Sequence, residues 1–192
     1  MVQRMDALDA LTRSEAEVLA RTDQITAEHW NQPTVCGEWT VDSLVRHLVS
    51  GSNMAVVGLT GASKEVVVES LQSAIDGDLI EAMRESFAAQ AAAMCVPGAL
   101  EVTVHHPAID MTGEQLLGFR IVDLVMHAWD LAHSLGFDES LDADLVVWTW
   151  EWLQPIAPFI GTLGMFGEGP SGTLTEDHPL DRRLIDLTGR RP

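Results

Sequence analysis

An aspartate and a histidine four residues apart on one helix can present two ligand atoms to a single metal ion, and the segment GFRIVDLVMHAWDLAHSLG carries such a pair in Asp123 and His127. On a helical wheel of about 100° per residue, Leu117, Ile121, Leu124, Val125, Ala128, Leu131, Ala132 and Leu135 form the core stripe. Arg120, Asp123, His127, Asp130 and Ser134 collect on the other side. A carboxylate oxygen with a neutral imidazole nitrogen suits Zn²⁺, Ni²⁺ or Fe²⁺ better than Ca²⁺. From spacing alone, the default for such a face is solvation on an amphipathic helix. His47, in the segment PTVCGEWTVDSLVRHLV, adds a third candidate. It sits at the edge of the stripe Val41, Leu44, Val45, Leu48 and Ala55, beside Thr40, Ser43, Gly51 and Gly58, whose small size leaves room for a pocket above the imidazole. A histidine at a helix seam, hydrogen-bonded to a backbone group or to Asp130, fits the same pattern.

These residues need helices to hold them, and the periodicity supplies several. Gln3 to Glu28 reads as an amphipathic helix, broken before Pro33. Thr40 is placed to cap a helix running to about Leu59, with Gly61 as its stop. Lys64 to Cys95 is helix-forming with a break at Asp76 and Gly77. Leu100 to Met111 alternates like a small hairpin, broken at Pro107. Gly113 to Ser134 is helical and closed by Gly136, and Asp142 to about Trp152 forms another helix. Gly161, Gly164, Gly167, Gly169 and Gly172 crowd an irregular stretch before a short helix at Asp181 to Leu187. The expected architecture is all-α: an up-and-down four-helix bundle with a small β-hairpin insertion and an irregular C-terminal tail. Residues 1–192 are expected to be one domain, with 161–192 its Gly-rich loop and short terminal helix.

Composition narrows the function. The chain has 192 residues, 46% of them hydrophobic, and a formal net charge of −18 from 29 acidic and 11 basic side chains. So acidic a surface repels phosphate backbones, so nucleic acid and anionic membranes are poor partners. No apolar run approaches the ~20 residues of a membrane span, and the charged N-terminus is unlike a secretion signal. Two cysteines outside any CxxC arrangement fit a reducing compartment, so a cytoplasmic location is expected.

The two quoted segments resemble the signature stretches of actinobacterial relatives of mycothiol-dependent maleylpyruvate isomerase, within the DinB-like (YfiT-like) metal-binding superfamily. The GRRP ending resembles a shorter branch of that family. The resemblance implies a DinB-like bundle and a divalent metal held by His47, Asp123 and His127. It implies mycothiol as a cosubstrate that adds to a small electrophilic substrate, giving isomerisation or S-transfer. Arg120 and Asp130 are the candidate catalytic residues. The isomerase carries glutamate where Asp123 stands, and a second domain for which this length leaves no room. The alternative is a non-catalytic bundle that binds a small apolar ligand or acts as a homodimeric interaction protein.

Other features are set aside. Gly167, Gly169 and Gly172 fit GxGxxG, but Pro170 interrupts it and no strand precedes it. His105 and His106 fall on opposite faces of a strand. Cys36 reads as a buried structural cysteine or as a reactive thiol beside a helix N-terminus. Trp148, Trp150 and Trp152 surround a helix, which suits a core or a homodimer seam. Arg182, Arg183, Arg190 and Arg191 could meet an anionic substrate, or simply complement the end of the terminal helix.

Overall fold

The computed structural model describes residues 5–162 and 166–192. Asp6–Glu139 forms one compact unit and Ser140–Pro192 lies in a second. In the first, α1 (Ala7–Thr22), α2 (Val41–Gly58), α3 (Lys64–Leu71) and α4 (Leu79–Met94) precede the strands β1 (Thr103–His105) and β2 (Asp110–Thr112), which run into α5 (Gly113–Leu135). α1 packs against α5 and α4, and α2 against the same two helices, so the four close into the expected bundle. α3 lies on α2.

Local chemistry sets the ends of these helices. Thr40 Oγ1 accepts the Ser43 amide at 3.3 Å, starting α2. Asp78 Oδ1 accepts the amides of Ile80 and Glu81 at 2.9 and 3.1 Å, starting α4 after the break near Gly77. Thr112 ends β2 and caps α5 in a reciprocal box: it accepts the Gln115 amide at 3.2 Å while Gln115 Oε1 accepts the Thr112 amide at 2.9 Å. The hairpin pairs Val104 with Met111 across the turn that holds Pro107. Gly136 closes α5 at a φ of 68°, a left-handed conformation that L side chains resist.

The first helix is shorter than the periodicity suggests. Asp6 accepts the Asp9 amide at 2.8 Å and starts it; Gln3 lies outside the described residues. After Thr22 the amides of Gln24 and Ile25 turn back to Arg21 and Thr22, and His29 Nδ1 accepts the Thr26 amide at 3.0 Å to start a separate turn. These local bonds replace the helical ladder that would have reached Glu28.

The bundle's core includes Leu44, Leu48, Met83, Leu116, Leu117, Ile121, Leu124, Trp129 and Leu131, all fully buried. Removing such a side chain from water contributes on the order of 1.5–3 kcal/mol each. Glu15, Gln90, Ser52 and Arg120 are buried within the same helices.

In the second unit α6 (Ala143–Leu153), a 3₁₀ segment (Ala157–Thr162) and α7 (Leu180–Leu187) follow in order. Part of the Gly-rich stretch is tied to α7: the Gly167 amide donates to Thr188 O at 3.1 Å and the Ser171 amide to buried Asp186. Gly164 lies outside the described residues. Arg183 stacks over Trp150 at 4.7 Å, and Arg191 meets Asp186 at 3.5 Å. Trp148, Trp150 and Trp152 are all half-buried.

Candidate metal centre

α2 and α5 meet in the bundle, and their contact brings His47, Asp123 and His127 together. Asp123 Oδ1 lies 3.3 Å from His47 Nε2 and 3.3 Å from His127 Nε2, and the three ligand atoms lie within 4.8 Å of one another. Three donors bonded at about 2.0–2.2 Å to one ion are separated by roughly 3.0–3.5 Å. Charge-assisted hydrogen bonds are shorter, at about 2.7–2.9 Å. Two imidazoles and one carboxylate at this spacing therefore fit a divalent ion. Side-chain exposure falls from 38% at His47 through 26% at Asp123 to 10% at His127, so the cluster opens to solvent on the His47 side.

Asp123 is held from behind. Its Oδ2 accepts Arg120 Nη1 at 2.6 Å, leaving Oδ1 for the histidines. Arg120 donates three further hydrogens into the bundle: Nε to Gln90 Oε1 at 2.9 Å, and Nη2 to Ser52 Oγ at 3.1 Å and Leu48 O at 3.3 Å. Gln90 Nε2 donates to Glu15 Oε1 at 2.9 Å, so a continuous buried chain joins α1, α4 and α5 to the site. Burial pushes the Glu15 carboxyl up to about 7, against the lowering effects of Gln90 and Arg120.

The small residues of α2 make room for other protein groups rather than for a pocket. A side chain at Gly51 would collide with the Arg120 guanidinium, and one at Gly58 would come within 2.7 Å of Val104 Cγ1. The expected space above His47 is thus occupied along those turns. The ring instead faces Trp39, centroid to centroid at 4.8 Å, and Trp39 also lies 6.2 Å from the His127 ring.

His127 is held on its far side by Asp130, whose Oδ2 lies 2.8 Å from Nδ1. Asp130 is wholly buried. Placing the proton on Nδ1, toward this carboxylate, leaves the Nε2 lone pair facing Asp123 and His47, an orientation common behind metal-ligating histidines. Burial opposes the charged imidazolium, but Asp123, Asp130 and Cys36 outweigh it and hold the His127 pKa well above its usual value. Burial would raise the Asp123 carboxyl, yet the charges of His127, His47 and Arg120 keep it well below the usual carboxylate range.

The polar face of α5 is therefore a packed seam, and Arg120 and Asp130 both sit inside it. They orient Asp123 and His127 and do not face solvent. Glu15, Gln90 and Ser52 were not anticipated as part of the site. Their signal was a polar residue at core spacing: Glu15 lies four residues from Leu11 and three from Val18, and Gln90 three from Phe87 and four from Met94, all four apolar side chains buried. His105 pairs with Asp110 at 3.0 Å, and His106 is half-buried, its pKa lowered first by burial and then by the charges of Lys64 and Arg120.

The family model described as "Mycothiol maleylpyruvate isomerase N-terminal domain" matches residues 11–132, a span that contains every residue of the site. Uncharacterised proteins of Mycobacterium tuberculosis, from strains CDC 1551 / Oshkosh and H37Rv, are each 29% identical over 178 residues, 93% of this chain and 91% of theirs. Among solved structures, a DinB-like protein from Bacillus subtilis superposes with a TM-score of 0.56 at 15% identity, covering 71% of this chain and 96% of that one. That likeness shows a DinB-like fold. Among the described residues, no helix is long and apolar enough to cross a membrane.

Proposed function

Since the chain belongs to the mycothiol maleylpyruvate isomerase N-terminal domain family, we propose that it holds a divalent metal, Zn, Ni or Fe, through His47, Asp123 and His127. We read its activity as that of an isomerase or S-transferase using a low-molecular-weight thiol, mycothiol, on a small electrophilic substrate. The observation that carries this reading is the convergence on a partly open face of three ligand atoms within 4.8 Å of one another, with Asp123 Oδ1 3.3 Å from each imidazole. An ion with three protein ligands supplies Lewis acidity that lowers the pKa of a thiol or water bound beside it.

The chain's own residues prepare the site. Asp130 holds the His127 ring and its Nδ1 proton, and Arg120 keeps Asp123 ionised and turned toward the histidines. Trp39 and Val35, 36% and 46% exposed, offer apolar surface on the loop that carries Cys36. With Arg120 buried and its charge turned to Asp123 and the bundle interior, these surroundings favour an electrophile that is neutral where it meets the site.

A second reading is supported by the direct Arg120 to Asp123 and His127 to Asp130 contacts, at 2.6 and 2.8 Å, which pair the cluster's charges without an ion. On that reading the bundle is non-catalytic and the cluster is a hydrogen-bonded seam. Metal analysis of protein purified without a histidine tag separates the two. The metal reading expects about one divalent ion per chain, lost in His47→Ala and His127→Ala variants that keep their helical circular dichroism. Sub-stoichiometric metal unchanged by either substitution overturns it and leaves the seam.

A further inference from the structure

His127 offers two ring nitrogens, and only Nε2 faces Asp123. Nδ1 faces a second donor set: Asp130 Oδ2 at 2.8 Å and Cys36 Sγ at 3.8 Å, with the sulfur 3.2 Å from that same carboxylate oxygen. The ligand atoms of Cys36, His127 and Asp130 also lie within 4.8 Å of one another. Bonds of about 2.3 Å to sulfur and 2.0–2.2 Å to nitrogen and oxygen place a thiolate roughly 3.0–3.8 Å from its fellow ligands. Both sulfur distances fall in that interval, while Nδ1 and Oδ2, hydrogen-bonded at 2.8 Å, would part by a few tenths of an ångström as an ion replaces the proton between them.

The sulfur is held in position by the fold. The Val35 amide donates to Ser134 Oγ at 3.1 Å, tying the Cys36 loop to α5 one turn beyond Asp130. The Cys36 amide donates to Thr34 Oγ1 at 3.2 Å, the Thr34 amide to Trp39 O at 2.8 Å, and Pro33 bridges to Thr40. Cys36 is only part-buried, which gives an ion a way in, while Asp130 lies fully buried beneath it.

We propose that Cys36, Asp130 and Nδ1 of His127 form a second cation site, selective for thiophilic ions such as Zn²⁺, Cd²⁺ or Cu⁺. Thiolate is the donor that the His47, Asp123 and His127 set lacks, and it favours soft ions over hard ones. Binding displaces the thiol proton to solvent. An ion at Nδ1 takes the place of that nitrogen's proton, which leaves to solvent with the thiol proton, and the proton on Nε2 is then donated to Asp123 Oδ1, so Nε2 has no lone pair for a second ion. The two donor sets therefore compete for His127, and a soft cation releases a harder one from its neighbour.

The test is a Cd²⁺ titration of the reduced, untagged full chain, followed by the ultraviolet sulfur-to-cadmium charge-transfer absorption. The band is expected in the wild type, in Cys95→Ser and in His47→Ala, and is expected to vanish in Cys36→Ser. In Asp130→Asn, checked for folding by circular dichroism, the apparent affinity should fall at least about ten-fold. A band that survives Cys36→Ser, disappears with Cys95→Ser, or is unmoved by Asp130→Asn overturns the site. Retention of the band in His47→Ala separates this outcome from loss of the histidine and aspartate centre, which the same variant removes.

Discussion

Glu15 makes the buried chain behind the site measurable. It is 8% exposed, burial raises its carboxyl from an ordinary 4.5 to about 7, and it accepts a hydrogen bond from the neutral amide of Gln90. A carboxyl whose folded pKa exceeds its unfolded one binds its proton more tightly in the native state. Its stabilising contribution is complete below about pH 4.5 and is lost as pH rises through about 7. The gap of about 2.5 units, at 1.36 kcal/mol each, corresponds to about 3 kcal/mol. Glu15→Gln keeps the shape and can still meet Gln90, but it has no proton to lose. Urea denaturation of both proteins from pH 4 to 8 is expected to give similar stabilities at the acid end, with the variant about 3 kcal/mol more stable at pH 8. A difference that stays constant across the range would refute a buried, raised carboxyl at this position.

Gly51→Ala gains roughly 0.5–1 kcal/mol of helix propensity but drives a methyl into the Arg120 guanidinium; overpacking costs about 1–3 kcal/mol. Net destabilisation in urea, with weaker metal retention as Asp123 loses its partner, is expected, and a more stable variant contradicts the packing described. Thr112→Ala removes half of the capping box at the start of α5 and should cost about 1 kcal/mol in thermal or urea unfolding. Asp130→Asn removes the carboxylate behind His127 and should lower affinity at the His47, Asp123 and His127 centre by about 10–100-fold, read by competition with a chromophoric chelator.

Much of the bundle was legible because its signals are local. Thr40 and Gly136 bound their helices where a hydroxyl acceptor and a left-handed residue require, and Asp123 with His127 follows from helical spacing alone. His47 was a candidate from its place on α2, but only the resemblance joined it to Asp123 and His127, since two helices must pack before it meets Asp123. The solvated-face default failed for α5 because Arg120 and Asp130 find partners on other segments, Gln90 and Ser52 for one and Cys36 for the other. Periodicity cannot supply such partners. Glu15 could have been noticed as an acid within the apolar stripe of α1, although Gln90, which joins it to Arg120, is 75 residues away.

The most direct test of the metal centre is a crystal structure of untagged protein with anomalous diffraction collected at the edge of the metal it retains. The account predicts one peak about 2.0–2.2 Å from His47 Nε2, Asp123 Oδ1 and His127 Nε2. No anomalous peak among those atoms in protein saturated with Zn²⁺, with the two imidazoles turned away from Asp123 Oδ1, would contradict it.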